Sequence, residues 1–100
     1  MIQHGLLDAS NCWIANEPNA SVAFMLAKQG YDVWLGNNRG NLHSPNNTRL
    51  NPQIPDQSDE YYNYSFSTLG KHDLPRQIDY VLEQTGVPNL SYMGHSQGTS

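Results

Sequence analysis

The feature that most restricts how these 100 residues can fold is the alternation of two hydrophobic periodicities along them. Residues 1–3 read as the end of a strand, followed by a loop at His4-Gly5-Leu6-Leu7. A polar stretch ends in Pro18-Asn19, a helix-start signal. Ser21 then opens a helical run with Val22, Phe24, Met25 and Leu26 on one face and Gly30 placed to cap its end. Tyr31-Asp32-Val33-Trp34-Leu35 reads as a strand stopped by Gly36. Residues 36–60 read as one long loop rich in Asn, Gly and Pro, with no residue in it that looks catalytic. Phe66 to about Thr85 reads as a second helix on the spacing of Leu74, Ile78, Val81 and Leu82. Pro75 cannot sit inside that helix unless Asp73 caps a fresh start before it. Gly86-Val87-Pro88 ends the helix, Leu90 to Met93 is a short buried strand, and Gly94 begins a sharp turn. The order strand, helix, strand, helix, strand implies an α/β fold with a parallel sheet and right-handed crossovers.

The last turn carries the chemistry. Gly94-His95-Ser96-Gln97-Gly98 fits G-x-S-x-G, in which a serine stands on a tight strand-to-helix turn with its Oγ clear of the backbone. Side chains two residues before and two after would collide in such a turn, so Gly94 and Gly98 are the residues it needs. The pattern arises by chance in about 3% of chains this long, given ordinary Gly and Ser frequencies. It gains force because it directly follows a strand assigned on other grounds. Ser96 is therefore the candidate nucleophile, and the helix expected to follow presents its N-terminus to a developing oxyanion.

A second element lies upstream. An α/β-hydrolase takes one oxyanion donor from the residue after the nucleophile, here Gln97, and another from the loop after an earlier strand. Leu6 occupies that loop, and Gly5 lets the backbone bend toward the site. The fold class is thus α/β, a partial α/β-hydrolase fold ending at the elbow. Residues 1–100 read as the N-terminal part of a single domain. In this fold the acid and the histidine follow the serine in sequence. His4, His43, His72 and His95 all precede Ser96, so none is the base, and the missing partners are expected beyond residue 100. Alone, the segment is expected to be inactive.

Several stretches resemble the acid lipases, the family of gastric and lysosomal acid lipases. They are His4-Gly5-Leu6-Leu7, Trp13-Ile14, Asn16, Pro18-Asn19, Gly30-Tyr31-Asp32-Val33-Trp34-Leu35-Gly36-Asn37, and Arg39-Gly40-Asn41. To these add Phe66-Ser67, Asp73-Leu74-Pro75, Ile78-Asp79 and Gly94 to Thr99. Residues 42–62 depart from the family pattern, and Cys12 stands where a polar residue is expected. The resemblance implies Ser96 as nucleophile and the Leu6 and Gln97 amides as oxyanion donors. It implies triacylglycerol or sterol ester substrates, met at a lipid–water interface, and a lysosomal or secreted setting. It calls for no metal and no cofactor.

Other readings share the same elbow: a different ester- or amide-cleaving α/β-hydrolase, an acyltransferase, or a catalytically incomplete product that only binds lipid. Composition narrows the field. A net charge of -4 without a basic cluster argues against nucleic acid, and no apolar run reaches membrane-spanning length. No His, Cys and Asp grouping has metal-ligand spacing. The single cysteine, Cys12, reads as a half-buried thiol rather than a nucleophile. Four Asn-x-Ser/Thr sequons occur. Asn19, Asn46 and Asn63 are candidate glycosylation sites, and Asn89 is set aside as the start of a buried strand. Trp13, Trp34, Tyr61, Tyr62 and Tyr64 read as packing residues.

Overall fold

A computed structural model describes all of residues 1–100. Three short parallel strands, β1 (Ile2–Gln3), β2 (Leu35–Gly36) and β3 (Met93–Gly94), form a sheet in the order β2-β1-β3. Ile2 lies opposite Leu35 and Met93, and Gln3 opposite Gly36 and Gly94. Between them run α1 (Val22–Lys28), α2 (Pro55–Tyr61), α3 (Phe66–Thr68) and α4 (Leu74–Thr85). The α/β alternation expected from the sequence is present.

Both outer strands are shorter than expected, and each is displaced toward its C-terminal end. Tyr31–Trp34 is not strand, and Gly36 belongs to β2 instead of stopping it. Likewise Leu90–Tyr92 is not strand, and Gly94 belongs to β3. The cause is the central strand. A parallel ladder extends only as far as its partner, and β1 pairs through Ile2 and Gln3 alone. Its backbone is used in full: Ile2 N–H donates to Trp34 O (2.8 Å), Met93 N–H to Met1 O (3.0 Å) and His95 N–H to Gln3 O (3.1 Å).

The end of α1 follows the expected pattern. Gly30 takes φ +94°, its N–H reaches Ala27 O (3.0 Å), and Tyr31 N–H reaches Leu26 O (3.2 Å). These are the two bonds of a Schellman cap. The apolar face fares differently. Ala23 is buried and Leu26 half-buried, but Val22, Phe24 and Met25 are exposed, with no other part of the chain over them.

Two further corrections concern the middle of the chain. The stretch read as loop contains α2, whose Pro55 sits in the first turn, where a missing N–H costs nothing. Tyr61 at its end is buried and donates its hydroxyl to Pro45 O (2.5 Å). The second helix runs from Phe66 to Thr85 as expected, but Leu69–Asp73 is wound as a π-turn. That wider turn sits where the Pro75 ring would otherwise press on the carbonyl four residues back. Asp73 has helical dihedrals and makes no cap bond. Its carboxylate instead takes the Arg39 N–H (2.9 Å), Nε (2.7 Å) and Nη2 (2.6 Å). Beyond it the helix buries Val81, worth roughly 2 kcal/mol, and half-buries Leu74, Ile78 and Leu82. Trp34 packs edge-on against Tyr80 at 6.2 Å and donates its indole N–H to Asp32 (3.0 Å), fastening α4 to the approach of β2.

The core is thin. The radius of gyration is 14.9 Å, against ~13 Å for a compact domain of this length. What is buried gathers around β1: Ile2, Gln3, His4 and Gly5 in sequence. The longest buried run of the chain therefore leads straight into the loop after β1.

Candidate active site

The strand order sets the location. From β1 the chain passes to β2 on one side, then returns across β1 to reach β3 on the other. Loops leaving β1 and β3 therefore diverge, and a crevice opens between them at the C-terminal ends of the strands. Parallel α/β sheets bind ligands at such switch points. The loop after β1 carries Gly5 and Leu6, and the loop after β3 carries His95, Ser96 and Gln97.

Ser96 has φ +54°. A non-glycine residue in that region carries about 1–3 kcal/mol of strain and persists only where its surroundings impose it. Here the constraints are a short turn, Ser96–Thr99, closed by Gly98 N–H to His95 O (2.8 Å). Thr99 Oγ1 donates to Ser96 O (2.7 Å) and the Tyr92 hydroxyl to Gly98 O (2.6 Å). Ser96 itself is exposed.

The glycines are explained by crowding. A Cβ on Gly94 would lie 2.5 Å from the Gly98 carbonyl carbon and 2.9 Å from Thr99 N. One on Gly98 would lie 2.8 Å from both the Gln3 and His4 carbonyl oxygens. Neither has positive φ, so close approach is what requires glycine at both. Gly5 faces the elbow from the other side, its Cβ position 3.1 Å from Ser96 Cβ and 3.2 Å from His95 Nδ1. The structure thus brings Gly5, Gly94, Ser96 and Gly98 together. Leu6 and Gln97 line one cavity of about 460 Å³ with His4, Asp8, Asn38 and Tyr62. The backbone N–H groups of Leu6 and Gln97 take no partner among the turn and loop hydrogen bonds. Such unpaired donors are what an anionic ligand would need.

The His95 ring meets Trp13 edge-on, centroids 6.1 Å apart, with its Nδ1 beside Gly5. Cys12 is half-buried, and burial together with the neighbouring Asp8 carboxylate pushes its thiol up to about 11. Asp8 is held below the usual carboxylate range, first by the Ala9 N–H (2.8 Å) and then by the Cys12 thiol. No cluster of three His, Cys, Asp or Glu side chains could hold a metal ion. No helix is long and apolar enough to cross a membrane. Asn19, Asn46 and Asn63 are exposed. So is Asn89, which lies outside β3, and its exclusion as part of a buried strand does not hold. Tyr62, read as a packing residue, is 53% exposed and stands at the cavity.

The loop after β2, in which no residue looks catalytic, also reaches this end of the sheet. Asn38 N–H and Asn41 Nδ2 both approach His4 Nε2 at 3.1 Å. Asn37 Oδ1 takes Asn41 Nδ2 (2.9 Å) and Ser10 N–H (2.9 Å). The Arg39–Asp73 pair and the Tyr64 hydroxyl on Arg39 O (2.9 Å) tie the loop to α4 and its approach. The signal for these residues was present in the sequence. Asn37-Asn38-Arg39-Gly40-Asn41 directly follows a parallel strand, at the end of the sheet where loops meet ligands.

A family model described as alpha/beta hydrolase fold matches residues 1–100. The chain is 50% identical to Lipase member K of Mus musculus over 99 residues, which is 99% of this chain and 24% of that protein. Gastric triacylglycerol lipase of Rattus norvegicus is 48% identical over 99 residues, again 99% of this chain and 24% of the relative. Lipase 1 of Drosophila melanogaster is 49% identical over 98 residues, 98% of this chain and 21% of the relative. The chain thus spans about a quarter of the length of the curated relatives it matches. With the family model matched from the first residue to the last, and lipases among its relatives, the chain belongs to the α/β-hydrolase fold family.

Proposed function

We propose that this segment supplies the nucleophile and oxyanion site of a serine lipase that cleaves triacylglycerols or sterol esters. The observation that carries the reading is Ser96, strained at φ +54° on the turn after β3 and faced by the Gly5 backbone across the switch-point crevice. Ser96 Oγ attacks the ester carbonyl carbon, and its proton passes to a histidine C-terminal to it, as the triad order of the fold requires. The carbonyl electron pair moves to oxygen, and the Leu6 and Gln97 amides receive that charge. Collapse of the tetrahedral species breaks the ester C–O bond, and the departing alcohol takes the proton from the histidine. Water repeats the sequence on the acyl-serine and releases the fatty acid.

Two features support a lipid substrate met at an interface. Leu6 is 64% exposed, and Leu7, at φ +56°, is 99% exposed. An apolar pair is thus held out beside the crevice. The exposed sequons at Asn19, Asn46 and Asn63 support a lysosomal or secreted setting, in which they would carry glycans.

The test is made in the complete protein that carries this segment. A fluorophosphonate should label Ser96, and Ser96→Ala should abolish both labelling and hydrolysis of emulsified triacylglycerol. Turnover that survives the substitution would refute the assignment. Acyl transfer to an added alcohol that outcompetes hydrolysis would move the reading from lipase to acyltransferase.

A further inference from the structure

The Leu6 amide can receive an oxyanion only if its peptide plane points the right way. In a trans peptide the Gly5 C=O and the Leu6 N–H are antiparallel. Whatever fixes the Gly5 carbonyl therefore fixes the direction of the Leu6 N–H. That carbonyl lies 2.8 Å from Nδ1 of the His4 ring, which is 4% exposed.

The protonation of this ring follows from its partners. A carbonyl oxygen only accepts, so Nδ1 must carry a hydrogen to bond Gly5 O. A backbone N–H only donates, so Nε2, 3.1 Å from Asn38 N, must offer a lone pair. Asn41 agrees: its Oδ1 is taken by the His43 N–H (3.0 Å) and the Ser44 N–H (2.9 Å). Its Nδ2 therefore faces His4 Nε2, at 3.1 Å. Two donors on one nitrogen and one acceptor at the other permit a single state, the neutral Nδ1–H tautomer.

We propose that His4 is a positioning residue for the oxyanion loop, held as the Nδ1–H tautomer by Asn38 and Asn41 so that it aims the Leu6 amide at the crevice beside Ser96. The inference rests on the serine lipase reading and adds a residue that touches no reacting atom. It also assigns a task to the loop after β2. Gln77 on α4 holds Asn37 O and Asn38 Oδ1 (both 3.3 Å), and Asp73 holds Arg39, so the brace is anchored on a helix.

In the complete protein, His4→Phe keeps a planar ring, somewhat larger than the imidazole, and removes both nitrogens. Turnover of a soluble ester should fall roughly 100-fold, the scale of a lost oxyanion donor or a displacement of about 1 Å. KM should stay nearly constant, because the ground-state ester does not use the donor. Affinity for a trifluoromethyl ketone, which forms a hemiketal oxyanion on the serine, should fall in parallel with kcat/KM. His4→Asn restores an N–H near the Nδ1 position and should recover part of both losses. Asn41→Ala should weaken ketone affinity in the same direction by a smaller factor. The ring 15N shifts of His4 in the unaltered protein should show the proton on Nδ1. A folded His4→Phe protein with unchanged kcat and ketone affinity, or a His4 proton on Nε2, would overturn the proposal. If His4→Phe does not fold, the ring shifts and Asn41→Ala decide it. Turnover that needs Ser96 but is indifferent to His4 removes the positioning role alone, whereas turnover without Ser96 removes the lipase reading first.

Discussion

Adding one methyl group at successive glycines should separate what the elbow needs for folding from what it needs for chemistry. At Gly94 the new Cβ would overlap the Gly98 carbonyl, with Thr99 N also at 2.9 Å. These are backbone atoms, and the elbow must open by up to about 1 Å to restore a contact near 3.0 Å. At Gly98 the shortfall is a few tenths of an ångström, against two carbonyl oxygens at 2.8 Å. At Gly5 the nearest atoms are 3.1 Å and 3.2 Å away, but they are Ser96 Cβ and His95 Nδ1. Gly70, inside the π-turn, meets nothing within 4 Å and serves as the control. Overpacking a fixed site costs about 1–3 kcal/mol, so Gly94→Ala should lie at the top of that range and Gly98→Ala near its middle. Gly5→Ala should cost under about 1 kcal/mol of stability yet reduce turnover more than tenfold, because the displaced atom belongs to Ser96, the proposed nucleophile. Gly70→Ala should gain up to ~1 kcal/mol from helix propensity. Denaturant midpoints and kcat for a soluble ester, measured on the complete protein, give both axes. A Gly94→Ala protein as stable and as active as Gly70→Ala would refute the steric account of the elbow.

Asp73→Ala should destabilise the protein by about 1–2 kcal/mol by denaturant titration, since it strips two hydrogen bonds and an ion-pair contact from Arg39, whose own side chain stays half-solvated and recovers part of the loss. Cys12, with its thiol pushed up to about 11, should react with iodoacetamide at pH 8 about 100-fold more slowly than in the denatured chain. Asp8→Asn should narrow that gap, and a native rate equal to the denatured one would show that burial and Asp8 do not protect the thiol. The Asp8 carboxyl is held low by the Ala9 N–H, so its contribution to stability is complete above the ordinary carboxylate range and is lost as pH falls through its own lower value. The stability difference between Asp8→Asn and the unaltered protein should therefore shrink on acidification and be flat above about pH 5.

How far the sequence reveals this site depends on which interactions are local. The Schellman cap at Gly30 and the end of α4 at Gly86, φ +68°, follow from glycine placed after an apolar helical run. Gly94 was legible for a similar reason, because the atoms that crowd it lie within five residues of it, whereas Gly98 is crowded by the Gln3 and His4 carbonyls, which only the fold brings near. Strand lengths were not legible. The Val33 and Trp34 side chains suit a strand, but ladder hydrogen bonds need a partner backbone, and β1 offers two residues. Propensity describes a residue's fitness for a strand, and pairing decides whether one forms. The same logic hid the fate of Asp73. Its position before Leu74-Pro75 resembles a helix cap, and only the fold reveals Arg39, 34 residues away, competing for the carboxylate.

The loop after β2 shows where reading by residue type stops. Asn, Gly and Asn in succession mark a turn, and turn chemistry accounts for them without further purpose. Gly40 meets that description at φ +77°, though it is also pressed by the Tyr64 hydroxyl, a contact that a Cβ would not survive. Asn38 and Asn41 do more than turn the chain, because they spend their donors on an imidazole buried in another loop. A histidine next to a glycine can be dismissed as a base by its order in the chain. What order cannot supply is the ring's environment. Nε2 faces two donors and Nδ1 faces the Gly5 carbonyl, so His4 is well suited to hold that carbonyl still. The sequence-level signal for a catalytic histidine and that for a positioning histidine are the same letter. Only the direction of the hydrogen bonds around the ring distinguishes them, and that direction is set by a loop more than 30 residues downstream.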